Sequence, residues 1–150
     1  MKTLFDPEIH EYTLGRIENL TESTQPLWGK MEVGQMLKHC QIPFEIALGK
    51  YQMLGKPGFF MKLMYKSFKS SMYNDRLWRH NLKTPDQFLV TDPMVFVIEK
   101  ENLIELINEF APLKFKTNWP VHPYFGEFTT EQRGKMQYKH LDHHLRQFGV

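Results

Sequence analysis

Near its C-terminal end the chain reads KHLDHHLRQFG, which places His140, His143 and His144 within five residues. Neutral imidazole is the commonest protein ligand for a metal ion, and a charged surface is more simply made from lysine. His140 and His144 are four residues apart. On a helix their Cβ atoms then lie about 5–6 Å apart on one face. This is the spacing of H-x-x-x-H zinc helices, where two imidazoles converge on one ion at about 2.0–2.1 Å. His140 and His143 could also converge, whereas the neighbours His143 and His144 diverge. Two ligands do not make a firm site, so a third must come from elsewhere, and His39 in MLKHC is the candidate. Three histidines with one position left open describe a catalytic zinc site better than a structural one. No H-E-x-x-H glutamate is present to act as a base, so a protease-like mechanism is not supported.

The histidines need helices to position them. Asp6, Pro7 and Glu8 form a helix start, and the Ile9, Thr13, Ile17 and Leu20 stripe predicts a helix from Pro7 to Glu22. A second helix is expected over Met31–Gly49, with Pro43 kinking it or ending it early. His39 falls there on the apolar stripe of Met36, Ile42 and Ile46. Pro57 and Gly58 signal a turn, after which Met61, Met64, Tyr65, Phe68 and Met72 fall at helical spacing. Lys62, Lys66 and Lys69 lie between them, so a short amphipathic helix is expected. The stretch 79–93 reads as a loop with one helical turn at most. Asp92 as cap and Pro93 as first residue then predict a helix carrying Phe96, Leu103, Ile107 and Phe110. A strand is a rival reading for MVFVI. Residues 112–128, with three prolines, predict a long extended loop of the kind that often serves a site. Thr129 with Gln132 makes a capping box for the last helix, and Gly149 closes it.

A helical wheel shows which way the last helix points its histidines. With His140 at zero, His144 falls at about 40° and His143 at about 300°. Phe148, Leu141, Leu145 and Tyr138 span about 80° to 160°, and the charged residues about 200° to 260°. His140 and His144 therefore border the buried stripe, while His143 sits nearer solvent. Each has a plainer reading. A histidine on an apolar stripe is often a hydrogen-bonded core residue, and H-x-x-x-H is common on helices. His122, in VHPYFG, serves either the loop's own packing or the site, as a lid or acid–base group. Cys40 reads as a buried structural cysteine, His10 and His80 as surface residues, and the tryptophans as anchors.

Composition narrows the classes. A chain of 150 residues is one ordinary domain, 1–150, able to fold without staples. A net charge of +2 argues against a dedicated nucleic-acid binder. One cysteine excludes an internal disulfide and fits a reducing cytoplasm. MKTLFDPEIHEY lacks a signal-peptide core, and no apolar run is long enough for a membrane helix. A membrane contact through the lysine face is the weakest reading. Helices without convincing strand pairs predict an all-α bundle.

LWGKMEVGQMLKHC, HPYFG and YKHLDHHLRQFG together resemble the DinB-like metalloenzyme superfamily, closest to a branch with no assigned substrate. The likeness runs from Leu27 to Gly149. It implies an up-down-down-up four-helix bundle, here with an extra short amphipathic helix and long loops. It also implies a divalent metal, zinc or nickel, on His39, His140 and His144. Relatives in that superfamily include hydrolase-like proteins and transferases that use low-molecular-weight thiols; no DNA repair activity is implied. The expected function is a metal-dependent enzyme of one of those two kinds, acting on a small molecule, with His143 and His122 as further pocket residues. The alternative is a non-enzymatic bundle that binds a small ligand or partner, with a structural or vestigial histidine cluster. A homodimer through an exposed helix face is compatible with either.

Overall fold

A computed structural model describes residues 1–52 and 58–150, except for the side chains of Phe59 and Lys62. The expected turn at Pro57 and the side chain of Lys62 lie outside the described residues. Four long helices, α1 (Pro7–Glu18), α2 (Val33–Leu48), α4 (Phe96–Phe110) and α5 (Thr130–Gln147), are joined by a shorter α3 (Phe59–Phe68). Among the described residues there is no strand, only a lone bridge between His122 and Gly126.

Pairs of residues fix the helix directions. Leu4 and Arg16 meet Gly134 and Asp142, so α1 and α5 run parallel. His39 and Pro43 meet His140 and Gln137, so α2 runs against α5. Gln41 and Lys50 meet Glu99 and Glu109, so α2 and α4 are parallel. His10 and Glu18 meet Asn108 and Lys100, so α1 opposes α4. The order is up-down-down-up.

Local chemistry explains most boundaries. Asp6 caps α1, with Pro7 at its first position. The helix stops at Glu18 rather than Glu22, because Thr21 and Thr24 bond one another in a turn of their own. α2 starts at Val33 behind a Glu32–Gln35 capping box and ends at Gly49. It passes through Pro43 without an early end. The expected start of α4 at Asp92 and Pro93 is wrong: its cap is Val95, with no side-chain bond. Gln35 Nε2 donates to the carbonyls of Thr91 and Asp92 and holds them outside the helix. Gly34 lets that strap approach, since a Cβ there would stand 2.8 Å from the Met94 carbonyl oxygen. The strand reading of MVFVI also fails, as the helix begins at Phe96. The capping box of Thr129 and Gln132 forms as expected.

The interior is aromatic and aliphatic. Phe110 stacks on Phe5 at 5.0 Å and meets Phe44 edge-on at 5.4 Å. Leu37, Leu103, Ile107, Leu141 and Leu145 are buried around them. Each such side chain contributes roughly 1.5–3 kcal/mol by leaving water. Cys40 is fully buried here; burial pushes its thiol up, out of reactive range.

The amphipathic helix α3 forms as expected, and the Met61, Met64 and Phe68 side chains of its apolar stripe are exposed. Tyr65 of the stripe turns toward the loop, against Tyr124 and Phe125. Lys69 is not free in solvent: it bonds the Glu127 carbonyl and lies over the Phe128 ring. Among the described residues, no helix is long and apolar enough to cross a membrane.

Candidate metal centre

The antiparallel crossing of α2 and α5 brings His39, His140 and His144 together in the bundle interior. A bond from Gln137 Nε2 to the Pro43 carbonyl, 2.8 Å, sets the register. Each histidine offers a ring nitrogen, and the three nitrogens all lie within 4.8 Å of one another. The ring centroids are 4.7–5.0 Å apart. All three side chains are buried.

Their outer nitrogens decide what the inner ones can do. His39 Nδ1 lies 3.1 Å from the Phe88 carbonyl oxygen. A carbonyl only accepts, so Nδ1 carries the proton and Nε2 presents a lone pair inward. His144 Nδ1 lies 2.9 Å from Gln147 Oε1, and Gln147 Nε2 donates to the Trp28 carbonyl at 2.7 Å. That second bond fixes the amide, so His144 also carries its proton on Nδ1. Donation of the far N–H to a carbonyl or amide is the usual way a protein orients a ligating histidine. Gly29, at φ +84°, gives the amide its room, because a Cβ there would stand 2.6 Å from Gln147 Nε2.

His140 differs. Its Nε2 lies 3.1 Å from His39 Nε2, and its buried Nδ1 has no partner. Two inward lone pairs cannot face each other at that distance unless a proton or a cation lies between them. A tetrahedral zinc site separates its nitrogens by about 3.3 Å, given bonds of about 2.0–2.1 Å. The donor set therefore fits a divalent ion.

Burial keeps all three rings neutral, the form that ligates. It lowers His39, and His140 well below the ordinary value, aided there by His144, His39 and His143. His144 is lowered to about 3 by burial and by His39.

His143 points elsewhere. It lies edge-on to Trp28 and Trp78 at 6.0 and 5.5 Å, and to His144 at 5.1 Å. With Trp28, Trp78, His80, Lys139 and Arg146 it lines a pocket of about 60 Å³. Burial, with His80 and Arg146 close by, lowers it to about 4. His80 is exposed, as expected, yet stacks flat on Trp28 at 3.8 Å. None of the three converging histidines lines this pocket; Trp78 and His143 stand between.

His122 is tied to its own turn. Its Nδ1 accepts from the backbone N–H groups of Tyr124 and Phe125 at 3.2 and 3.3 Å. Its ring neighbours are Phe125 and Phe128. Burial, then Arg133 and Lys69, lower it to about 3. These are the contacts of loop packing.

Residues 8–149 match the model of a family described as a protein of unknown function, DUF1569. The chain belongs to the DUF1569 family. No curated protein and no solved structure matches it. The DUF1569 match takes in α1, α2, α4 and α5 except for Pro7, and so all three converging histidines.

Two parts of this arrangement differ in how far the sequence signals them. Gln147 follows His144 by three residues, a spacing that shares one helix face, so it was open to discovery. The Phe88 carbonyl had no signal, because any residue there supplies one.

Proposed function

We propose that this chain holds a divalent cation, zinc or nickel, through His39, His140 and His144. One observation carries the reading. Three buried imidazoles converge, and two of them have their outer N–H groups bonded so that lone pairs must point inward. The up-down-down-up order and this trio also support membership of the DinB-like superfamily. Three protein ligands leave one coordination position open. When bound, the cation supplies Lewis acidity, enough to acidify a water or a thiol.

The chain's own residues do the rest. The Phe88 carbonyl and Gln147 orient two rings, and Trp78 and His143 shield the centre. A metal-dependent hydrolase-like activity or a low-molecular-weight-thiol transferase activity follows as the class of reaction. Protein reconstituted with zinc or nickel and screened on both substrate classes should turn over one of them, with loss in His39→Ala. Inactivity on both, with the metal shown to be bound, would remove the enzymatic half of the proposal.

One observation favours a second reading. None of the three histidines lines the pocket beside them. In that reading the ion is structural and the protein acts as a binding module. Metal removal would then lower the melting temperature without any activity to lose.

A further inference from the structure

A second feature lies at the other end of α5. Arg133 is only 1% exposed, yet its Nε and Nη1 have no hydrogen-bond partner. Its Nη2 donates to the Pro120 carbonyl. The rings of Trp119 and Phe128 flank the guanidinium at 5.1 and 5.8 Å. Among the described residues, no carboxylate forms an ion pair with it. Arginine is almost never fully buried without a counter-charge, and its N–H groups fit a carboxylate as a fork. Burial lowers this guanidinium to about 10, which leaves it charged at neutral pH.

Beside it lies a recess of about 230 Å³, lined by Thr117, Asn118, Trp119, Glu127, Phe128 and Arg133. That is below the roughly 300–1,000 Å³ of drug-sized pockets, so it suits a small molecule. Its surroundings are cationic. Lys69 sits over the Phe128 ring at 4.8 Å and Lys116 over the Trp119 ring at 5.1 Å. The α5 N-terminus adds its positive end. The one acidic group on the recess is Glu127, which is exposed.

We propose that this recess is a second ligand site, distinct from the histidine centre, and that it takes a small carboxylic acid as its monoanion. Arg133 supplies the counter-charge and the unmade N–H groups. The planar guanidinium fork suits the two oxygens of one carboxylate, and Glu127 on the recess works against a second negative charge. Thr117 and Asn118 provide polar contacts at the rim.

The test uses the ¹⁵N-labelled full chain and follows the Arg133 Nε–H and Trp119 indole N–H resonances. Acetate, propionate, inorganic phosphate and chloride are added separately at fixed ionic strength. Saturable shifts of both resonances with the carboxylates are expected. Glu127→Gln, a change at an exposed residue, should bind acetate about two- to fivefold more tightly, the usual reach of one exposed charge. Arg133→Lys, if folded by circular dichroism, should lose the saturable response; if it does not fold, the Glu127→Gln comparison decides. Shifts that rise without saturation, match those with chloride, or occur with phosphate alone would overturn the proposal. So would an unchanged acetate affinity in Glu127→Gln.

Discussion

The Nε2 atoms of His39 on α2 and His140 on α5 stand 3.1 Å apart across the bundle interior. His39 already commits its Nδ1 proton to the Phe88 carbonyl, so its Nε2 is an acceptor. Without an ion, His140 must donate its one proton into that gap and leave Nδ1 bare. With an ion, both nitrogens become ligands. In both cases His140 Nδ1 has no protein partner, bare in the first and protonated in the second.

Gln147 should matter for affinity although it touches no metal. It accepts from His144 and is itself held by the Trp28 carbonyl. Loss of such an orienting partner typically costs about 10–100-fold in metal affinity. Zinc titration of Gln147→Ala against the parent measures it. Equal affinities would mean that the amide plays no part in aiming His144.

Gly29→Ala should act on the same contact from the other side. The left-handed backbone at φ +84° strains any side chain, and the added Cβ would push on Gln147 Nε2. A stability loss of about 1 kcal/mol or more in urea is expected, together with weaker zinc binding. A loss of stability with unchanged zinc affinity would uncouple the loop from the site.

Phe110→Ala should be among the costliest core changes. The ring meets Phe5, Phe44 and Trp119 and is fully buried. Truncation should cost about 3–5 kcal/mol by equilibrium denaturation. A cost below about 1 kcal/mol would contradict this packing.

His122 makes stability depend on acid. It is neutral and buried when folded, lowered to about 3, against an ordinary 6.5 when unfolded. Between those values the unfolded chain binds a proton that the folded chain refuses. Stability is therefore full above about pH 6.5 and falls as pH drops toward 3. The slope from this one group reaches about 1.4 kcal/mol per pH unit. His122→Gln should flatten the acid limb in pH-dependent denaturation. An unaltered slope would show that His122 is protonated in the fold.

Much of the site was legible because side-chain types and periods carried it. His39 fell on the apolar stripe of α2, and His140 and His144 on the inner edge of α5. The capping box of Thr129 and Gln132 marked where α5 begins. What stayed hidden was set by tertiary contacts with the backbone. Gln35 withdraws Asp92 and Pro93 from α4 by bonding carbonyls far along the chain. The Phe88 carbonyl aims His39 from a loop with no sequence signature. The stripe of α3 was legible as one face of a helix, but spacing marks a face without saying what covers it. His122 looked available for a site, and its Nδ1 is taken by its own turn.

The most direct test of the metal centre is the metal content of tag-free protein by mass spectrometry, beside His39→Ala and His144→Ala. Near one equivalent of zinc or nickel in the parent, lost in both folded variants, is the expected result. A parent that holds no metal after incubation with zinc and nickel would contradict the proposed centre, as would variants that keep the parent's full equivalent.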